Sequence, residues 1–273
     1  MSEADAVNRE LLAAIDDKRM LVLATVVRAP SGDAERVGAK LLIDEDEKVT
    51  GSLGRAELDR QVIADGLAAM EERKSRVADY PAANGAPADA AAVGVFLEVV
   101  EPQPSLIVVG AGHIAVPLAR MGKILSFEVI VLDDREKFAN RERFPDSDQV
   151  FAADFGPTLA QLKITRATYI VIITRGHQYD EEALMEVADS PAAYIGMIGS
   201  RRRVQAVRQN LEAVGFDPTK LERVRAPIGL EIGAETPEEI AVSIMAEIIS
   251  VRRGGRGLPM SEIARDRELR IQR

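Results

Sequence analysis

The fold is decided by the stretch Leu106-Ile-Val-Val-Gly-Ala-Gly-His-Ile-Ala115. Its first four residues are apolar and predict a short buried strand, and the following Gly110-x-Gly112-x-x-Ala115 predicts a tight turn that opens a helix. Gly110 allows the sharp turn, Gly112 lets the backbone approach a pyrophosphate, and Ala115 leaves room for the helix to pack on a sheet. The stretch therefore predicts the first strand, turn and helix of a dinucleotide-binding fold, with phosphates at the helix N-terminus.

A second strand and an acidic residue follow at the spacing that such folds require. Residues 128–132 predict this strand, and Asp133 ends it at a distance suited to a ribose hydroxyl. An acid there favours NAD over NADP because it repels a 2′-phosphate. Pro117 conflicts with the predicted helix unless it lies in the first turn.

The composition is that of an ordinary globular protein and argues against several functions. The 273 residues suffice for two domains, and because no apolar run reaches about 18 residues we expect no membrane span. A formal net charge of −9 and 4% aromatic residues argue against nucleic-acid partners. The chain has no cysteine, which excludes disulfides, thiolate metal sites and cysteine nucleophiles. The acidic N-terminus lacks signal-peptide features, so we expect a cytoplasmic protein.

The connector Glu101-Pro-Gln-Pro104 divides the chain. We expect an α/β protein with a smaller N-terminal α+β domain (1–101), a Rossmann-like doubly wound parallel sheet (105–254) and a charged C-terminal tail (255–273). In the N-terminal domain the patterns predict helices over 5–17 and 56–77, strands over 21–27, 37–43 and 93–100, a solvated charged turn over 44–48 and a flexible loop over 81–89.

The C-terminal domain alternates predicted strands and helices. The strands are 106–109, 128–132, 149–151, 169–173 and 194–198, and the helices lie near 113–124, 157–162, 180–188, 201–214 and 237–252. Thr236, Pro237 and Glu239 predict a capping box at the last helix. We expect the strand order 3-2-1-4-5, with ligands bound at the carboxyl ends of the strands.

Glycine and polar residues follow each predicted strand at this edge. Both histidines of the chain are among them, and the strand order lets His113 and His177 face one bound group. Asp180 either orients His177 or caps the next helix, and we favour the cap. Ser200 is interpreted as an N-cap beside Arg201, which suits an anion, while Arg202 and Arg203 are expected to be solvated. The candidate cofactor-binding residues are Gly110, Ala111, Gly112, His113, Asp133, Asp134, Arg135, Asp154, Thr174, His177, Asp180, Gly199, Ser200 and Arg201, and no residue is assigned as catalytic or metal-ligating.

Residues 106–253 resemble the C-terminal domain of the XdhC/CoxI family, the accessory proteins of xanthine dehydrogenase and carbon monoxide dehydrogenase. The strongest matching stretch is Pro227-Ile-Gly-Leu-Glu-Ile-Gly-Ala-Glu-Thr-Pro-Glu-Glu-Ile-Ala241. The other stretches are Gly110-Ala-Gly-His113, Val131-Leu-Asp-Asp-Arg135, Arg143-Phe-Pro145, Gly176-His177 with Asp180, Ala192-Ala-Tyr-Ile-Gly-Met-Ile-Gly-Ser-Arg-Arg202 and Ala246-Glu-Ile248.

The resemblance implies a homodimer that binds the molybdenum cofactor, protects it, and delivers it to an apo molybdenum hydroxylase after a cysteine desulfurase has supplied the sulfido ligand. The molybdopterin, with or without the nucleotide of its dinucleotide form, is expected in the Rossmann crevice. In the N-terminal domain two family motifs are degraded, with Gly32-Asp-Ala-Glu35 replacing Ser-x-Pro-Arg and Leu53-Gly-Arg-Ala-Glu57 replacing Gly-Gly-Cys-x-Glu. The expected function is therefore a non-catalytic maturation chaperone.

Two alternatives use the same crevice. The first is an NAD-dependent oxidoreductase, indicated by Gly-x-Gly-x-x-Ala with Asp133, although no tyrosine–lysine pair for hydride transfer is evident. The second is a nucleotide-sensing regulatory module.

Overall fold

The computed structural model describes residues 3–81 and 92–262. The chain forms two compact units, Met1–Pro102 and Gln103–Arg273. The predicted loop over 81–89 lies, beyond Pro81, outside the described residues, as does the tail from residue 263 onward. Within the described ranges, no helix combines the length and apolar character needed to cross a bilayer.

The first unit is a five-stranded antiparallel sheet with two helices. Its strands pair in the order β3-β2-β1-β5-β4. The N-terminal helix and the strand after it lie close to their predicted positions. In chain order the elements are α1 (Glu3–Asp16), β1 (Leu21–Arg28), a 3₁₀ helix (Ser31–Arg36), β2 (Lys40–Asp44), β3 (Val49–Gly51), α2 (Ala56–Glu72), β4 (Arg76–Tyr80) and β5 (Val93–Val100).

Two boundaries in this unit differ from prediction. The strand predicted over 37–43 begins only at Lys40, because the 3₁₀ helix and Gly38, with a φ of +92°, precede it. The helix predicted over 56–77 ends at Glu72, since Arg73 adopts the left-handed conformation that terminates helices. The residues beyond it form β4, an edge strand whose alternating polar residues carry no continuous apolar run.

The charged turn over 44–48 is not wholly solvated as predicted. Asp44 is buried, and its Oδ1 accepts the backbone N–H groups of Asp46 and Lys48 at 3.0 and 2.9 Å. Its Oδ2 accepts Arg19 Nη1 at 2.7 Å. Asp44 therefore shapes the turn between β2 and β3 and anchors Arg19.

The second unit is a doubly wound α/β domain, as predicted. Its five parallel strands have the order β10-β9-β6-β7-β8, which is 3-2-1-4-5 within the domain. Every residue of the first strand is buried. The elements are β6 (Ser105–Val109), α3 (Ala115–Ile124), β7 (Glu128–Asp133), β8 (Gln149–Ala152), α4 (Phe155–Leu159), β9 (Thr168–Ile172), α5 (His177–Val187), β10 (Tyr194–Met197), α6 (Arg201–Ala213), a 3₁₀ helix (Pro218–Leu221) and α7 (Pro237–Arg253).

The parallel sheet buries both of its faces, which explains its nearly continuous apolar strands. Helices α4, α5 and α6 pack on one face, where alternate strand residues such as Ile107 and Ile172 point. Helices α3 and α7 pack on the other face against Leu106, Val108 and their neighbours. Each fully buried Val, Leu or Ile contributes about 1.5–3 kcal/mol, so both layers stabilise the sheet.

The helix starts in this domain follow local chemistry. Pro117 is the third residue of α3, within the first turn, where its missing N–H has no intrahelical acceptor to lose. The capping box at α7 is confirmed, with Thr236 accepting the N–H of Glu239 and the Glu239 side chain accepting the N–H of Thr236. Helix α5 begins at His177, three residues before the predicted start.

The outer edge of β10 is covered by the segment that follows α6. Arg225 donates its backbone N–H to Ile195 at 2.9 Å and accepts that of Met197 at 2.9 Å. Ile228 then donates to the carbonyl of Met197 at 3.1 Å. Residues 225–228 thus satisfy the backbone groups that β10 directs away from β9.

Candidate functional site

The glycine-rich loop joins β6 to α3 at the carboxyl edge of the parallel sheet. Gly110 has a φ of +105°, and a Cβ there would lie 2.6 Å from the carbonyl oxygen of Ile173. The close approach of the neighbouring strand end therefore requires glycine at this position. Gly112 differs, because its φ is not positive and a Cβ would meet nothing within 4 Å. The protein leaves open space beside Gly112, where the sequence predicts a ligand.

Two backbone donors of this loop point away from the protein's own acceptors. Within the described part of the chain, the N–H groups of Gly112 and His113 make no hydrogen bond. They precede α3, whose dipole favours negative charge at this end. By contrast, the N–H of Gly110 is bound by the Leu132 carbonyl at 2.7 Å. The loop is thus fixed at its start and open at its end.

Asp133 holds the loop from the end of β7. It is only 1% exposed, and its Oδ2 accepts the N–H of Ala111 at 2.8 Å. Its two oxygens also accept Nε and Nη2 of Arg135 at 2.8 and 2.9 Å, and Oδ1 accepts the Arg135 backbone N–H at 3.1 Å. These contacts differ from the predicted ribose contact, because protein donors already occupy both oxygens.

The protonation equilibrium of Asp133 reflects these contacts. Burial acts to raise the pKa of Asp133, but the hydrogen bonds from Arg135 and Ala111 outweigh it. The pKa therefore lies below the ordinary carboxyl value. Asp133 is an ionised, buried anchor at neutral pH.

Arg143 holds the same loop from the side opposite to β9. Its Nη1 donates to the carbonyls of Ala111 and Phe138 at 2.7 and 3.0 Å. Its guanidinium also lies 5.1 Å from the centre of the Phe138 ring. The family resemblance includes Arg143 in a motif, but its contact with a loop 32 residues earlier has no local pattern in the sequence.

Asp134 and Arg175 connect the ends of β7 and β9. Arg175 Nη1 and Nη2 donate to Oδ1 and Oδ2 of Asp134 at 2.5 and 2.7 Å. Arg175 also stacks on the Tyr179 ring, 4.1 Å from its centre, while Arg135 stacks on Phe138 at 3.8 Å. The Asp134 carboxylate raises the pKa of the Arg175 guanidinium. Two guanidinium groups and two carboxylates thus alternate at this edge.

Asp180 is neither a helix cap nor a partner that orients His177, so both interpretations are corrected. It is fully buried in the first turn of α5, whose N-cap is Gly176. Its Oδ1 accepts the Thr174 hydroxyl at 2.6 Å, and its Oδ2 accepts Nε of Arg203 at 2.8 Å. Burial raises the pKa of Asp180 above its ordinary value, although the bonds from Thr174 and Arg203 oppose this shift.

Arg203 is therefore not solvated as predicted. It ties the start of α6 to that of α5 through Asp180 and also donates to the Thr174 carbonyl at 3.2 Å. Ser200 is the predicted N-cap of α6 and accepts the N–H of Arg203 at 3.3 Å. Arg201 and Arg202 are exposed, as expected for residues on the outer side of this turn. Gly199 precedes the cap, and a Cβ there would lie 3.1 Å from the Arg203 side chain.

The two histidines line separate pockets rather than one. His113 borders a largely apolar pocket of about 480 Å³ with Val116, Arg120 and the start of α7. His177 borders a shallower pocket of about 580 Å³ with Arg175 and Tyr179. Adjacent strands carry them, but the strand order alone does not make the imidazoles face one group. Asp154 is exposed as the N-cap of α4, with no side-chain capping bond.

A second buried carboxylate holds the signature segment that follows Pro227. Glu247 on α7 accepts the Tyr194 hydroxyl at 2.6 Å and the N–H of Gly229 at 2.8 Å, both through Oε2. Burial and the Glu247 contact raise the pKa of Tyr194. Sequence reasoning did not identify this cluster, because residues 194 and 247 come together only in the tertiary fold. Among the described residues, no group of three or more His, Asp or Glu side chains is arranged to hold a metal ion.

Two family models match the chain, one in each unit. The model described as the XdhC Rossmann domain matches residues 106–248, and the one described as the XdhC and CoxI family matches residues 14–81. These ranges contain the parallel sheet and most of the first unit respectively.

Curated proteins provide similar sequences of greater length. The uncharacterized Escherichia coli (strain K12) protein YqeB is 35% identical over 232 residues, which cover 83% of this chain and 42% of that protein. A probable xanthine dehydrogenase subunit of Bacillus subtilis (strain 168) is 35% identical over 159 residues, or 58% of this chain and 46% of its own. The E. coli molybdenum cofactor insertion chaperone PaoD is 26% identical over 99 residues, 36% of this chain and 31% of its own. The chain thus spans less than half the length of these relatives.

A solved structure shares the fold. The crystal structure of a xanthine dehydrogenase from Bacillus halodurans superposes with a TM-score of 0.52 and 21% sequence identity. The match covers 93% of this chain and 96% of that one. At this identity the likeness concerns the architecture alone.

Proposed function

Because the chain belongs to the XdhC and CoxI family, we propose that it is an accessory protein that binds the molybdenum cofactor, stabilises it and delivers it to a xanthine dehydrogenase or carbon monoxide dehydrogenase type of molybdenum hydroxylase. The names of two relatives support this role, since one is a molybdenum cofactor insertion chaperone and the other belongs to a probable xanthine dehydrogenase. The proposal makes the chain a maturation chaperone without catalytic activity of its own.

The observation that carries the proposal is the open space beside Gly112. Nothing in the fold requires glycine there, whereas Gly110 two residues earlier is required by its φ and its neighbour. A glycine with no structural reason, followed by N–H groups without acceptors, is suited to close contact with a phosphate. The cofactor is an anionic, phosphate-bearing molecule, so the residues fit the group.

The residues have separate tasks in this proposal. The N–H groups of Gly112 and His113 bind phosphate oxygens, and Asp133 and Arg143 keep the loop rigid so that little entropy is lost on binding. Arg135 supplies positive charge at the mouth of the crevice. The bound cofactor supplies the molybdenum chemistry, which takes place after delivery in the partner enzyme.

The partners follow from the same proposal. Because the chain has no cysteine, it offers no thiolate to the molybdenum or to its sulfido ligand. A cysteine desulfurase therefore supplies the sulfur before delivery to the apo hydroxylase, and the accessory protein acts as a homodimer. Sedimentation of the purified chain tests the dimer, and co-purification with each enzyme tests the contacts.

Retention of the cofactor tests the proposal directly. The purified protein is mixed at micromolar concentration with isolated molybdenum cofactor and passed through a desalting column, and bound pterin and molybdenum are measured. We expect retention by the wild type, loss of retention in Gly112→Val, and restored activity when the loaded protein meets a cofactor-free hydroxylase. Absence of retention by the wild type contradicts the proposal.

The NAD-dependent oxidoreductase remains the competing use of the crevice. The contacts of Asp133 argue against it, because the acid expected to hold the ribose is buried and bound by Arg135 and Ala111. A fluorescence titration with NADH separates the two functions. Tight NADH binding coupled to turnover of a substrate favours the enzyme and opposes the chaperone.

A further inference from the structure

The ion pair between Asp134 and Arg175 crosses the mouth of the crevice. Asp134 follows β7 and Arg175 follows β9, and these strands flank β6 on its two sides. Adjacent strands lie about 4.8 Å apart, so the ends of β7 and β9 are separated by about 10 Å with β6 between them. The bond from Arg175 to Asp134 must therefore pass across the carboxyl end of β6, where the glycine-rich loop begins.

The Arg175 guanidinium is arranged to bind a planar pair of oxygens. Its two terminal nitrogens each donate to one oxygen of Asp134, at 2.5 and 2.7 Å. Carboxylates and phosphates accept this fork in the same way. Tyr179 holds the guanidinium independently of Asp134, by stacking at 4.1 Å and by accepting a hydrogen bond with its hydroxyl. Arg175 thus keeps its position when the carboxylate leaves.

The pair is exposed enough to exchange partners. The side chains of Arg175 and Asp134 are 36% and 22% exposed, whereas that of Asp133 is 2% exposed. Exposed ion pairs contribute little net stability, so replacing Asp134 costs the fold little. The same exchange at Asp133 would release the loop itself, because Asp133 also binds Ala111.

We propose that Arg175 is an anion-binding residue of the crevice and that Asp134 is an internal competitor, which occupies the guanidinium until a phosphate or diphosphate group displaces it. The proposal rests on the proposed function in placing that group beside Gly112. The exchange makes Asp134 lower the affinity for the ligand, and it frees a carboxylate next to the ligand when binding occurs. Such a competitor suits a protein that must release its cargo.

Calorimetric titration with inorganic pyrophosphate tests the proposal in the whole chain. Asp134→Asn removes the competing charge, and we expect binding to tighten about threefold to fivefold. Arg175→Ala removes the proposed anion contact, and we expect binding to weaken about tenfold. Asp189→Asn is the matched control, because it removes one negative charge from another exposed pair, with Lys220 at 2.6 Å. We expect no change in that control.

The double variant separates displacement from general repulsion. If Asp134 competes only for Arg175, Asp134→Asn brings no gain in the Arg175→Ala background. A gain of equal size in both backgrounds overturns the proposal, since the carboxylate then repels the anion without occupying Arg175. Failure of both the wild type and Asp134→Asn to bind pyrophosphate overturns it as well.

The outcome is distinguishable from that of the proposed function. Cofactor retention by the wild type, combined with an unchanged affinity in Asp134→Asn, removes the competitor and leaves the chaperone. Tighter pyrophosphate binding in Asp134→Asn, combined with no cofactor retention, leaves the exchange and removes the chaperone.

Discussion

The carboxylate of Asp133 accepts the backbone N–H of Ala111 at 2.8 Å, so the end of β7 fixes the loop that leaves β6. The same carboxylate carries the Arg135 guanidinium. One buried group therefore sets both the conformation of the glycine-rich loop and the charge beside it.

Asp133→Asn tests this dual role. The amide offers one acceptor oxygen where the carboxylate offered two, and it leaves Arg135 without its counter-charge. We expect the free energy of unfolding to fall by about 2 kcal/mol, measured by urea denaturation. Asp189→Asn, in an exposed pair, serves as the control and is expected to change stability by less than about 0.5 kcal/mol. An equal loss in both variants would refute the anchoring role.

The acid limb of the stability profile depends on the same residue. Because the pKa of Asp133 is lower in the folded state than in the unfolded chain, its contribution is present above the unfolded value of about 4 and disappears as the pH falls through the folded value. Urea midpoints measured from about pH 7 down to pH 3 should fall less steeply in Asp133→Asn than in the wild type. Parallel profiles in the two proteins would show that Asp133 does not carry this contribution.

The two loop glycines should respond oppositely to a side chain. Gly110→Ala places a Cβ 2.6 Å from the Ile173 carbonyl at a φ of +105°. We expect it to cost about 2 kcal/mol or more. Gly112→Val adds atoms to open space, so it should leave the unfolding midpoint unchanged and abolish cofactor retention. Each variant is examined by thermal unfolding and by the retention assay. Unfolding of the Gly112 variant would assign that glycine a structural role.

Neighbouring arginines at the start of α6 provide a matched pair. Arg203→Ala leaves fully buried Asp180 with only the Thr174 hydroxyl, and we expect a loss of about 3 kcal/mol. Arg202→Ala removes an exposed side chain and should stay within about 0.5 kcal/mol of the wild type. Denaturant unfolding compares the two. Similar losses would mean that helix propensity, rather than the contact with Asp180, determines the effect.

The sequence was sufficient to predict the parallel sheet and the position of its ligand-binding edge. Buried strands such as Leu106–Val109 are continuous apolar runs, and the glycines after them mark the turn, so both signals are local. Edge strand β4 was missed because its outward residues are charged and only Tyr80 is fully buried. The boundary of α2 was missed because Arg73 adopts a left-handed conformation that its residue type does not favour.

The side-chain partners at the site could not be predicted in the same way. Asp180 and Arg203 are 23 residues apart, and nothing in the local pattern distinguishes Arg203 from Arg201 and Arg202. Similarly, the histidines lie at the ends of adjacent strands, yet the path of each loop directs them into different pockets. Strand order fixes the edge at which a residue lies, and tertiary packing fixes what its side chain contacts.

The segment 225–228 alongside β10 limits how this protein can assemble. Its hydrogen bonds to Ile195 and Met197 use the peptide groups through which another polypeptide would extend the sheet. Strand addition at that border is thus blocked, which also protects the apolar strand from self-aggregation. A partner enzyme, or a second copy, must dock through side chains of helices and loops rather than through backbone pairing there.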